Sequence, residues 1–281
     1  MKDASATLSR LEKAIETNTP TESLQELAHT SIEFARLVAS NPMAPSVLLR
    51  KLCDIQDTVT RRNVTANPNT PSQVLLKLGA EFPRELLANP IFPLLFLENP
   101  NLISEIPSNT LESLLTQKSV PSFFLEMIAK TDKNIYGCFY AAIRPTTPVK
   151  VLTELARHCH EKVRASVAGN PKTPVYLLEK LARDRQWQVR GGVANNPNTP
   201  VAILEQLAQD ESEGVRYPVA NNPNTPSEIL EQLARDKSRN IRRVVANNPN
   251  TPVQILKDLA QNSLVSVRNR AISNINSRKF N

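Results

Sequence analysis

Few residues in this chain are grouped in ways that could do chemistry. Arg157-His158-Cys159-His160 sets two imidazoles and a thiol side by side, the ligand types that hold zinc. Consecutive side chains at a helix end point in different directions, and the remaining soft ligands, Cys138 and His29, are distant in sequence. A four-ligand metal site is therefore not expected. The arginines are more orderly: Arg164, Arg190, Arg216, Arg242 and Arg268 recur every 26 residues, with Arg61 in the same column. Such a ladder could be a cationic rail for phosphates. It could also pair each arginine with the acidic residue six before it, as Asp184 with Arg190 or Asp210 with Arg216. Its regularity favours pairing, because a residue kept in every copy serves stacking, and a partner is read by the columns that differ. Six glycines provide no phosphate-cradling loop, no Gly-x-Ser-x-Gly elbow occurs, and three scattered histidines make no acid–base constellation. Neither enzymatic activity nor a cofactor is expected.

The columns that differ are more informative. One runs Ala165, Gly191, Tyr217, Arg243 and Asn269, and its neighbour runs Ser166, Gly192, Pro218, Val244 and Arg270. Both are expected on the side of a short helix away from its apolar residues. Small residues at one end and Tyr217, Arg243 and Arg270 at the other would form a graded surface, and these three are the expected partner-binding residues. Trp187, the only tryptophan, lies in a turn, where packing over a repeat junction is the expected role.

The elements that position these columns follow from the repeat itself. Motif asparagines fall at Asn170, Asn196, Asn222 and Asn248, a fixed period that signals a stacked array. In the copy starting at Val163, the apolar residues Val163, Val167 and Ala168 share one side of a short helix that Asn170-Pro171 stops. Thr173-Pro174 then opens a longer helix, with Thr173 as N-cap and Pro174 as first helical residue. Leu177, Leu178, Leu181 and Ala182 cover one face of that helix. Thr19 and Glu22 read as a capping box for an earlier copy. Neither helix can bury its stripe alone, so stacking is obligatory.

The array divides into residues 1–81, N-terminal copies; 82–143, degenerate copies preferred over a separate insert; and 144–281, regular copies ending in a half-repeat cap and a polar tail. The expected fold is all-α: a single α-solenoid of about ten two-helix repeats of about 26 residues, like HEAT and armadillo superhelices.

The pattern VRxxVAxNPxTPxxLLExLAxD resembles the leucine-rich repeat variant family, strongly over Val163–Ala260, well at Phe34–Ala80 and weakly across Phe82–Tyr140. The resemblance implies alternating short 3₁₀-type and α-helices in a right-handed superhelix without strands, and no enzymatic activity. The founding member carries an N-terminal cysteine cluster for an iron–sulfur centre. This chain lacks that cluster, so the cofactor is not carried over.

Charge is uneven. Residues 1–160 balance at zero, and residues 161–281 hold 18 Lys and Arg against 11 Asp and Glu, the whole net charge of +7. The expected function is a non-catalytic scaffold for protein–protein interaction. The alternative is nucleic-acid binding by the basic half, 161–281. Cys53, Cys138 and Cys159 are an odd, sparse set, and no signal-like or membrane-spanning run is present, so a cytoplasmic protein is expected.

Overall fold

The structure, a computed structural model, describes residues 2–131, 134–262 and 264–278. Among them are 22 α-helices and no strands. The chain falls into two compact units, 1–133 and 134–281.

The first unit holds α1 (Lys2–Ile15), α2 (Thr21–Thr30), α3 (Ile32–Ser40), α4 (Ser46–Leu52), α5 (Thr58–Ala66) and α6 (Ser72–Leu78). It continues with α7 (Pro83–Ala88), α8 (Phe92–Glu98), α9 (Leu102–Glu105), α10 (Ser108–Leu115) and α11 (Ser122–Ala129). The second holds α12 (Ile135–Ile143), α13 (Val149–Leu155), α14 (Glu161–Gly169), α15 (Val175–Leu181), α16 (Trp187–Asn195) and α17 (Val201–Leu207). It ends with α18 (Glu213–Asn221), α19 (Ser227–Leu233), α20 (Arg239–Asn247), α21 (Val253–Asn262) and α22 (Val265–Ser277).

In the second unit each first helix packs directly on the first helix of the next copy, in the order α12, α14, α16, α18, α20, α22. The second helices pack on first helices and barely meet one another. The expected core residues are inside: Val163, Val167 and Ala168 are fully buried, as are Leu178 and Leu204, while Leu181 and Leu207 are nearly so.

The Asn-Pro-x-Thr-Pro corner is built from directed hydrogen bonds. Asn196 Nδ2 donates to the carbonyls of Ala168 and Asn170 in the copy before, both at 2.7 Å. Its Oδ1 accepts from the Asn198 backbone at 2.9 Å. Asn170, Asn222, Asn248 and Asn274 make the same pair of donations. In the first unit so do Asn41, Asn67 and Asn89. Asn89 holds this ladder although its acceptors, Thr65 and Asn67, lie 24 and 22 residues back. Asn89 thus makes the corner bonds of the regular copies at a shorter spacing. At the far end Arg278 takes the place of a further corner, donating to the carbonyls of Thr251 at 2.8 Å and Pro249 at 2.5 Å and to Asn274 Oδ1 at 2.9 Å. The last three residues of the polar tail lie outside the described residues.

Three expectations are corrected. The first helix is the longer, nine residues in α14 against seven in α15, and it is α-helical throughout, not 3₁₀. The second helix is shortened because i→i+3 bonds, Arg183 to Lys180 and Asp184 to Leu181, close it in turns. Thr173 is not an N-cap: Pro174 holds that position without a side-chain bond. The Thr173 hydroxyl donates back to the Val167 carbonyl, as Thr199 does to Val193 at 2.5 Å and Thr225 to Val219 at 2.6 Å. The following proline denies those helix-end carbonyls a continuing helix, and the hydroxyl supplies a donor. Thr19 likewise donates to the Lys13 carbonyl at 2.6 Å, and no capping box with Glu22 forms.

Candidate partner-binding surface

Which side chains are free to meet a partner depends on which are consumed by stacking. Arg190 is consumed. Its Nη1 donates to the carbonyls of Asp184 at 2.8 Å and Arg185 at 3.2 Å, while Nε and Nη2 grip Asp210 at 2.6 and 3.0 Å. Arg164 with Asp184 and Arg216 with Asp236 repeat this geometry. The carboxylate partner therefore lies twenty residues after each arginine, not six before; the residue six before offers its backbone carbonyl. The extended guanidinium reaches forward to the next copy, where a planar carboxylate completes a two-bond pair.

Burial pulls the carboxyls of Asp184, Asp210 and Asp236 upward. Hydrogen bonds from the arginines and from the backbone of Gln186, Ser212 and Ser238, with the arginine charge, outweigh it and hold all three below their ordinary value. In the first unit Arg36 grips Asp57 with Nε and Nη2 at 3.0 and 2.7 Å, while Arg61 reaches Glu81 through Nη2 alone.

The variable column splits where the helices touch. Gly191 is buried, and a methyl on it would lie 2.9 Å from the Gly214 carbonyl. A methyl on Gly192 would lie 2.7 Å from the Ala165 carbonyl. These glycines are small because α14, α16 and α18 approach closely, so the expected graded surface is interior at this end. At the other end Tyr217, on α18, is 41% exposed, and Arg243 on α20 and Arg270 on α22 are exposed. Arg243 and Arg270 line one shallow depression of about 320 Å³ with Ser266, Asn269 and Ser273. Tyr217 stands one helix before it and is not part of its lining. Trp187 opens α16 instead of lying in a turn; it is 46% exposed, and its ring lies over Gly214 of the next copy, where an added methyl would meet it.

The metal-like tetrad is engaged otherwise. His158 is buried and its Nδ1 accepts from the His160 backbone at 3.0 Å, while His160 Nδ1 accepts from Lys162 at 3.2 Å. His158 occupies the aspartate column of the arginine ladder, and Cys138 the arginine column twenty residues before it.

Two features escaped the reading of the sequence. Each of Val149, Val175, Val201 and Val253 begins a second helix and is 44–46% exposed, an outer apolar row. The basic excess is also narrower than a half-chain: residues 161–236 hold nine basic and ten acidic residues, and 237–281 hold nine and one. Counting by repeat would have found it. No described helix is long and apolar enough to cross a membrane.

Residues 187–212 and 213–238 match the family model described as leucine rich repeat variant. No curated protein matches the chain. Among solved structures, one described as a leucine-rich repeat variant with a novel repetitive protein structural motif is similar, at 19% identity over 88% of each chain and a TM-score of 0.50. An engineered protein aligns over 96% of this chain and 93% of its own at 13% identity, with a TM-score of 0.35 that carries no argument about fold. Residues 187–238 are thus two leucine-rich repeat variant repeats, set in an all-helical solenoid with the fold of that repeat.

Proposed function

We propose that this chain is a non-catalytic cytoplasmic scaffold that binds another protein on the row of first helices in residues 134–281, with Tyr217, Arg243 and Arg270 as contact residues. One observation carries the reading. Arg243 and Arg270 are exposed and converge on a depression lined, among the described residues, by no carboxylate, one helix from a half-exposed tyrosine. The recurring asparagines and the paired ladder arginines, by contrast, are bonded between copies, and the recurring threonines within their own copy. Arginine and tyrosine are the side chains that most often dominate protein interfaces, since both combine apolar area with directed polar ends.

Nucleic-acid binding along 161–281 is the weaker reading. Three of the five ladder arginines are neutralised by Asp184, Asp210 and Asp236, and the charge left over is confined to 237–281. A phosphate rail needs unpaired cations at regular spacing.

A pull-down with intact protein, repeated with Tyr217→Ala/Arg243→Ala, tests the proposal. Loss of the recovered partners in the variant is expected; unchanged recovery would remove this surface. An electrophoretic shift assay at low salt is expected to show no complex with duplex or single-stranded DNA or RNA.

A further inference from the structure

The arginine ladder has two irregular rungs in the second unit, and they are irregular in opposite ways. At the first, both partners change together: Cys138 replaces the arginine and His158 the aspartate. At the last complete copy only one changes. Arg242 is kept, but residue 262, twenty positions on, is asparagine where Asp184, Asp210 and Asp236 stand in the other copies.

Arg242 is held as its counterparts are. Its Nη1 donates to the carbonyls of Asp236 at 2.5 Å and Lys237 at 3.1 Å, as that of Arg216 does to Asp210 at 2.7 Å and Glu211 at 2.9 Å. This anchoring fixes the guanidinium and leaves the edge formed by Nε and Nη2. In Arg164, Arg190 and Arg216 that edge grips a carboxylate at 2.6–3.2 Å. In Arg242 it donates to no other described residue. The helix register agrees. Asp184, Asp210 and Asp236 also accept a backbone N–H two residues on, closing the turn after the second helix. Without that aspartate α21 runs for ten residues, where α15, α17 and α19 have seven.

Two carboxylates line the depression beside Arg242, and both are engaged elsewhere. Glu231 pairs with Arg235 at 3.1 Å, and Asp258 accepts from Gln254 at 3.1 Å. Their charge disfavours a polymer carrying an anion on every unit, such as a nucleic acid. It permits one carboxylate of a protein segment whose flanking residues are neutral. The nine-to-one excess of basic residues over 237–281 attracts such a segment from a distance.

We propose that Arg242 is a docking point for a carboxylate of a partner protein, which supplies from outside the acidic half of the rung that in the other copies an aspartate twenty residues on provides. A guanidinium pre-set by two carbonyls is suited to this, because the two-bond pair with a planar carboxylate is both geometrically selective and strong. The inference rests on the scaffold reading and names its partner's chemistry, an acidic protein segment. It uses residues separate from Tyr217, Arg243 and Arg270, so either site can fail alone.

The test is a titration of the intact protein with a fluorescein-labelled ten-residue peptide of alternating Asp and Gly, read by anisotropy and by the Nε–H NMR resonance of Arg242. A saturable shift of that resonance is expected. Arg242→Lys keeps the charge but loses the fork, and Asn262→Asp closes the rung internally; each should weaken binding at least ~10-fold. Asn262→Asp should also raise the melting midpoint, which shows that the variant folds. Gln261→Glu makes the same charge change one residue away and should alter affinity less than ~2-fold. Equal weakening by all three variants, or a stationary Arg242 resonance, would overturn the proposal in favour of diffuse attraction. Tighter binding of a ten-nucleotide oligothymidylate than of the peptide would overturn the choice of a protein carboxylate. If Tyr217→Ala/Arg243→Ala loses partners while the Arg242 titration fails, the scaffold reading stands and only this inference falls.

Discussion

The copies from α14 to α20 and the stretch from α7 to α11 solve one problem with different chemistry. In the first, aliphatic side chains fill the core, asparagine and arginine ladders fix how each copy meets the next, and threonines close the corner within each copy. In the second the ladders thin out: Asn89 still bridges two copies, but Asn99 turns its amide to Glu105 at 2.8 Å, within its own copy. An aromatic cluster stands in their place. Phe92, Phe96, Phe123 and Phe124 pack with ring centroids 5.3–6.4 Å apart, mostly edge to face. Directed polar bonds fix how neighbouring corners meet in space, which the regular copies reach with 26 residues and Asn89 with 22. Large rings tolerate variable spacing, because area burial is indifferent to register.

The comparison can be broken most sharply at its two anchors. Asn196→Ala removes two donors to buried carbonyls and an acceptor for Asn198, so a loss of about 3–5 kcal/mol in urea unfolding is expected. Asn99→Ala should cost under about 1 kcal/mol, since its partner is exposed. Phe92→Ala should cost about 3–5 kcal/mol, being fully buried within its cluster. If Asn99 proved as costly as Asn196, the two stretches would not differ as described.

Helix spacing is tested next. Gly192→Ala should destabilise by about 1–3 kcal/mol, because the added methyl meets the Ala165 carbonyl and the Ala168 methyl. Gly169→Ala meets nothing within 4 Å and should gain about 0.5–1 kcal/mol. Thermal melts of the pair would separate crowding from helix propensity.

Acid is a finer probe, because Asp184, Asp210 and Asp236 are held below the ordinary carboxylate value. A lowered folded value means their contribution is complete above the unfolded value, about 4, and is lost as pH falls through the folded one. Unfolding free energy should stay level from neutral pH to about 5 and decline below about 4. Asp236→Asn should flatten that decline and cost about 1–3 kcal/mol at neutral pH, since both side chains of its pair are only 7% exposed. The smallest effect is expected at the cap. Arg278→Ala should cost about 1–2 kcal/mol, seen as faster amide exchange confined to α22.

Much of this was legible in the sequence because ladders leave a period. The asparagines announced the corner, and Leu181 and Leu207 announced the core, and both assignments hold. The periodicity could not say to whom a ladder residue bonds. Asp184 lies six before Arg190 in the chain, yet the carboxylate that meets Arg190 is Asp210, because a long side chain reaches across to the next copy. Thr173 looked like a cap for the helix after it, and instead satisfies the helix before it. Gly191 looked like a surface position, because letters alone do not record how closely two helices approach. At Arg243 and Arg270 the column reading brought together two residues that share a depression, while Tyr217 remained apart from it.

The central claim is a division of labour: columns that repeat hold the stack, and the changing column, packed between helices at Gly191, is free of the stack at Tyr217, Arg243 and Arg270. The unfolding free energy of Tyr217→Ala/Arg243→Ala tests it most directly. A value within about 1 kcal/mol of the unaltered protein is predicted, as for exposed residues outside the ladders. A loss above about 3 kcal/mol would contradict the claim, by showing that the changing column is itself part of what holds the copies together.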